Sequence, residues 1–127
     1  VQQSSGEDGA PDTTLELRPK FDQAGLLTAV VVNNATNDIL MVAHMNREAL
    51  DATLTSGFAH FYSRSRQKLW KKGETSGNVL EVAEVRIDCD QDAVLVMAKP
   101  AGPACHTGAV SCFYRRIDGE GLVRVKS

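Results

Sequence analysis

Short runs of apolar and β-branched residues, separated by turn residues, dominate the pattern along this chain. Thr28–Val32 and Ile39–His44 are such runs, and Asn33-Asn34-Ala35-Thr36-Asn37-Asp38 between them is turn chemistry, so the stretch predicts a hairpin. The period then changes. Asn46 can cap a helix over Arg47–Thr55, with Glu48 favourably placed in its first turn. Met45 before the cap and Leu50 after it suit a hydrophobic staple, Leu50 and Leu54 share a face, and Gly57 ends the helix. Phe58–Tyr62 reads as another strand. Ser63–Asn78 is polar and glycine-punctuated around Trp70, which predicts a functional loop with a short strand near Leu69–Lys71.

Further on, Leu80 and Val82 share one parity while Val85 and Ile87 share the other, which predicts a bulge within one long strand. Ala93–Ala98 is a short apolar strand, Ala101–Gly108 is broken by glycine and proline, and Cys112–Ile117 reads as a last strand. No repeat and no second domain is visible. The expected fold is α+β, mainly antiparallel strands with one clear helix, as a single domain over residues 15–127 behind a polar, disordered tail at 1–14.

Composition narrows the function. The chain's 127 residues support one modest core. A net charge of −2 argues against electrostatic capture of nucleic acid. No apolar run approaches the ~20 residues of a membrane span, and the N-terminal stretch lacks the basic start and apolar centre of a secretory signal. Three cysteines, an odd number, argue against a fully paired disulfide framework. The expectation is a cytoplasmic enzyme with reduced thiols.

Those thiols leave two readings, inert core residues or metal ligands. Cys105 follows Cys89 by 16 residues and precedes Cys112 by seven, which is no zinc-finger spacing. Yet GPACHTGAVSC is a poor core segment. Three thiolates without a fourth ligand would suit a catalytic zinc, which keeps a position open. His106 adjoins Cys105 too closely to share its ion comfortably, and is better placed as a base or acid beside it. Asp88, Asp90 and Asp92 form D-x-D-x-D. In an extended segment, alternation puts these carboxylates on one side and Cys89 on the other. Clustered carboxylates repel unless a cation neutralises them, and hard oxygen ligands suit Mg²⁺ or Ca²⁺. An EF-hand is excluded, because Ala93 stands where its glycine belongs and Lys99 where its closing glutamate belongs. The bland alternative is a solvated acidic turn.

Between residues 63 and 78, Arg64, Arg66 and Lys72 can neutralise phosphate, serine hydroxyls and backbone N–H groups can add hydrogen bonds, and Trp70 can stack on a base. A solvated basic loop with a half-buried tryptophan is the alternative. His44 and His60 lie in strand-like runs and read as packed, hydrogen-bonded residues rather than ligands.

LWKKGETSGN, DCDQDAVL and GPACHTGAVSCF, in this order and at these separations, resemble the phosphoribosyl-AMP cyclohydrolases. The resemblance runs from about Phe21 to Ile117, and no metal-ligand position departs from it. It implies hydrolysis of the N1–C6 bond of the adenine ring of 1-(5-phosphoribosyl)-AMP, the third step of histidine biosynthesis. It implies Zn²⁺ on Cys89, Cys105 and Cys112, one per subunit, and Mg²⁺ on Asp88, Asp90 and Asp92. It also implies an intertwined homodimer in which Cys89 joins the other two cysteines of the partner chain. The chain ends soon after the third block, which fits a monofunctional form without the pyrophosphohydrolase domain fused to some relatives. Arg64, Ser65, Trp70, Lys72, Glu74, Thr75 and Ser76 are the expected substrate contacts, and His106 the expected proton shuttle.

The chemistry agrees. A ribosyl group on N1 makes C6 electrophilic, zinc lowers the pKa of water, and an imidazole can take a proton and return it to N1. Two rivals remain at this point. A base deaminase would attack a similar carbon, but H-x-E followed by P-C-x-x-C is missing here. A non-enzymatic zinc-binding module would use the cysteines structurally.

Overall fold

The computed structural model describes residues 14–125, so most of the expected tail, residues 1–13, lies outside the described residues. The first elements are β1 (Leu27–Asn33), β2 (Ile39–Met45) and α1 (Arg47–Ser56). Then come β3 (His60–Ser63), β4 (Lys68–Lys71), β5 (Leu80–Ile87) and β6 (Ala93–Pro100), and finally β7 (Arg115–Asp118) and β8 (Gly121–Arg124). The fold is α+β, with antiparallel pairing dominant and one helix among the described residues.

The main sheet has the order β2-β1-β6-β5. β1 and β2 form the expected hairpin, with Thr28 opposite His44. The central pairing is an addition to the antiparallel expectation. β1 runs parallel to β6, from Thr28 opposite Ala93 to Asn33 opposite Ala98. A parallel pair needs a long crossover, and here the whole segment from β2 to β5 supplies it. The register slip on β5 falls between Val82 and Glu84, where the parity change predicts a bulge.

Asn46 caps α1 as expected, its side chain accepting from the Ala49 N–H at 2.8 Å. Gly57 closes the helix at φ 82°, its N–H donating to the Thr53 carbonyl. Met45 and Leu50 are both buried in the main core, but Leu54 is 48% exposed. The inward face is Ala49, Leu50 and Thr53 instead, and it packs over β2, β3 and β4. The Thr53 hydroxyl donates to the Ala49 carbonyl at 2.8 Å and accepts from the His60 N–H at 2.9 Å, tying helix to strand.

Two strand expectations shift, while the short strand expected near Leu69–Lys71 forms as β4. Phe58 makes only an isolated bridge to Glu81, and the strand proper begins at His60. β4 pairs with β3 as a separate hairpin carrying Phe61 opposite Trp70. The strand expected over Cys112–Ile117 starts at Arg115 instead, because the Cys112 N–H is bonded sideways to the Leu40 carbonyl of β2 at 2.7 Å, and one more strand follows it. β7 then turns back into β8, a hairpin whose residues are all exposed. No helix among the described residues is long and apolar enough to cross a membrane.

Candidate active site

Strand β2 is one edge of the main sheet, and its backbone holds the cysteine-bearing loop. Besides the Cys112 bond to Leu40, the Ser111 hydroxyl donates to the Ile39 carbonyl at 2.7 Å. The loop folds on itself, with the Ala104 and Cys105 N–H groups donating to the Val110 and Ala109 carbonyls. This closure brings the Cys105 and Cys112 thiols within hydrogen-bonding reach of each other. The Thr107 hydroxyl donates to the Cys105 sulfur at 3.0 Å, and this bond together with the Thr107 backbone N–H holds the Cys105 thiol below its ordinary pKa. Burial and the neighbouring Cys105 push the Cys112 thiol the other way. The Lys72 ammonium adds positive charge that favours both thiolates. Cys89 does not join this pair. It is exposed and stands on the acidic turn.

That turn corrects the extended geometry expected of D-x-D-x-D. Residues 89–92 bend, and Gln91 adopts φ 61°. The carboxylates of Asp88, Asp90 and Asp92 nevertheless converge, with one oxygen from each lying within 4.8 Å of the others. Burial works against ionisation of Asp88, but the Ala93 and Asp92 N–H groups outweigh it and lower its pKa. Side-chain hydrogen bonds to Asp90 and Asp88 raise that of Asp92. Three exposed carboxylates this close offer the oxygen ligands that a hard cation takes. Gln91, at the centre of the turn, is 3% exposed. Its side-chain oxygen accepts from the Arg18 N–H at 2.8 Å, and its carbonyl from the Lys20 N–H at 2.6 Å. The preceding segment thus straps the turn in place, a role the sequence pattern did not suggest for a glutamine among aspartates.

Between the two hairpins and the cysteine loop lies a cleft of about 1030 Å³. Arg64, Ser65, Trp70, Glu74, Thr75 and Ser76, all expected as substrate contacts, line it, and so does His106. Trp70 packs on Phe61 at 5.2 Å between ring centroids, which fixes its plane at the wall. Lys72 is the exception. It is absent from the lining and lies instead near the thiol pair, with its ammonium 6.0 Å from the Trp70 ring. Lys71 takes the place expected of Lys72, together with Arg66, Tyr62 and Ser63.

The histidines separate too. His60 is held as expected, its Nδ1 lying 2.8 Å from the Phe58 carbonyl. His44, expected to be packed and hydrogen-bonded, is half-buried and lines the cleft.

A small α+β scaffold with an arginine- and hydroxyl-lined cleft, a thiol pair at one side and a carboxylate cluster on a nearby turn defines a class: an enzyme for anionic small molecules with sites suited to metals. Residues 41–114 match the family described as Phosphoribosyl-AMP cyclohydrolase. The chain is 62% identical over 110 residues to a Phosphoribosyl-AMP cyclohydrolase of Sphingopyxis alaskensis, covering 87% of each chain. It is 62% identical over 111 residues to one from Rhizorhabdus wittichii, covering 87% of this chain and 90% of that one. A relative of the same description from Rhodopseudomonas palustris strain BisB5 is 61% identical over 107 residues, 84% of this chain and 73% of its own. This chain belongs to the phosphoribosyl-AMP cyclohydrolase family.

Proposed function

We propose that this chain carries out its family's reaction, hydrolysis of the N1–C6 bond of 1-(5-phosphoribosyl)-AMP in histidine biosynthesis. The observation that carries the reading is the match over residues 41–114, which takes in both metal-ligand candidate groups and the cleft. The lining suits the substrate: Arg64 and Arg66 for phosphate, serine and threonine hydroxyls for phosphate or ribose, Trp70 for the base.

The donor sets fit the two metals in different degrees. Soft thiolates suit zinc, and Cys105 with Cys112 are already paired for it. Cys89 is exposed and lies apart, and the family resemblance supplies the third sulfur from a second copy of the chain, in a homodimer with shared sites. Asp88, Asp90 and Asp92 offer hard oxygens for Mg²⁺. Zinc, when bound, supplies Lewis acidity that makes water a nucleophile at neutral pH.

The chain's own residues do the rest. The basic rim and Trp70 orient the purine with C6 toward the cysteine loop. His106 accepts a proton from the attacking water at C6 and delivers it to N1 as the N1–C6 bond breaks. The positive charge of Lys72 favours the ionised form of the thiols. Free thiols and a soluble nucleotide substrate suit a cytoplasmic location.

The test is a spectroscopic assay of purine ring opening combined with metal analysis. Ring opening by protein carrying about one zinc per chain supports the reading, with both lost in Cys105→Ser or Cys112→Ser. Release of ammonia from an intact purine would move the chain to the deaminase class. Full activity of zinc-free protein would remove zinc from the mechanism.

A further inference from the structure

Strand β2 has a second role beyond holding the cysteine loop. Its first residues, Ile39 and Leu40, accept the bonds from Ser111 and Cys112. His44 lies four residues further along the same strand, beyond the register shift at Leu40. At the usual rise of a strand, that separates His44 from the cysteine anchor by roughly 13 Å along β2. His44 and His106 line one cleft, His106 next to Cys105 and His44 at the far end of β2.

The chemistry of His44 is also unused. Its ring makes no hydrogen bond among the described residues, whereas that of His60 is engaged by the Phe58 carbonyl. The backbone beneath it is rigid, paired to Thr28 within the hairpin and followed at once by the capped helix. β2 also packs against β3, whose Tyr62 and Ser63 share the cleft and lead into Arg64 and Arg66. An imidazole N–H that lines one cleft with two guanidinium groups and several hydroxyls can meet an anionic oxygen there.

We infer that His44 is a nucleotide-binding residue that donates a hydrogen bond to a phosphate oxygen of the substrate. This rests on the proposed reaction for the identity of the substrate, but phosphate recognition by His44 is a separate claim. Proton transfer at C6 and N1 stays with His106, the histidine that adjoins Cys105.

The experiment compares wild-type protein with His44→Ala and His44→Gln, using steady-state kinetics and, independently, calorimetric binding of AMP. His44→Ala should raise KM and the Kd for AMP by roughly 10- to 100-fold, the range for losing a hydrogen bond to a charged group, with kcat within about threefold. Zinc content should not change. His44→Gln keeps an N–H donor and should recover part of the loss. Adenosine, which lacks the phosphate, should bind wild type and His44→Ala equally. Unchanged KM and AMP affinity in both variants would overturn the assignment, as would a fall in kcat at constant KM. An equal loss of AMP and adenosine binding would overturn the phosphate contact. If wild-type protein fails to open the purine ring, the proposed reaction falls, while the AMP and adenosine measurements still judge His44.

Discussion

Asn78 shows how single residues hold this site together. Gly73, at φ 83°, packs so closely on the Asn78 backbone that an added Cβ would overlap its carbonyl carbon and oxygen. Gly102, at the start of the cysteine loop, packs on the Asn78 side chain in the same way. One asparagine therefore spaces the cleft loop from the loop that carries Cys105. Gly73→Ala should cost about 1–3 kcal/mol from the left-handed backbone alone, before the overlap adds to it. A denaturant midpoint equal to wild type would show that the loop can move aside. His106 gives the second residue-scale expectation. His106→Ala should keep about one zinc per chain and lower kcat by roughly 10²–10⁴, with a smaller change in KM. Loss of zinc would make His106 a ligand or a fold element. A fall in kcat of less than about tenfold would move the proton transfer elsewhere.

Among the elements, α1 is the one whose bounds and caps were most legible, since Asn46 and Gly57 act locally and need nothing from the rest of the chain. Its inward face was less so. Leu54 has the right spacing from Leu50 yet stays half-exposed, while the polar Thr53 is 1% exposed because the His60 N–H requires its hydroxyl. Thr53→Val keeps the shape but leaves that N–H without its acceptor. It should destabilise the protein by about 1–3 kcal/mol in thermal or denaturant unfolding. A variant as stable as wild type would mean that β3 finds another partner for its first N–H. The bulge on β5 was readable from parity, because a one-residue slip exchanges the faces of every following side chain. The β7–β8 hairpin was not, since its residues are all exposed and so carry no inward pattern.

At the scale of the whole molecule, the shared-site reading has a direct test. Cys89→Ala and Cys105→Ala chains, each inactive alone, should regain activity when refolded together, because a mixed dimer concentrates both defects in one site and leaves the other intact. Heterodimers without activity would place all three sulfurs in one chain or remove Cys89 from the site. Chelation followed by Mg²⁺ titration should restore activity lost with the carboxylate-bound ion, and indifference to Mg²⁺ would count against Asp88, Asp90 and Asp92 as its ligands. The sequence by itself determined what is local or chemical: the hairpin, the capped helix, the bulge, and the residue types able to bind thiophilic and hard metals. It also carried the family, because three motifs in fixed order are specific enough to read without a fold. Only the tertiary structure decided what depends on distant pairing. It placed β1 parallel to β6, bent the aspartate segment into a turn strapped by Gln91, and set Lys72 outside the cleft lining, its charge favouring the thiolates. It left Cys89 apart from Cys105 and Cys112 and brought His44 into the cleft. Spacing along a chain limits which side chains can meet, but the pairing of strands far apart in sequence selects which of them do.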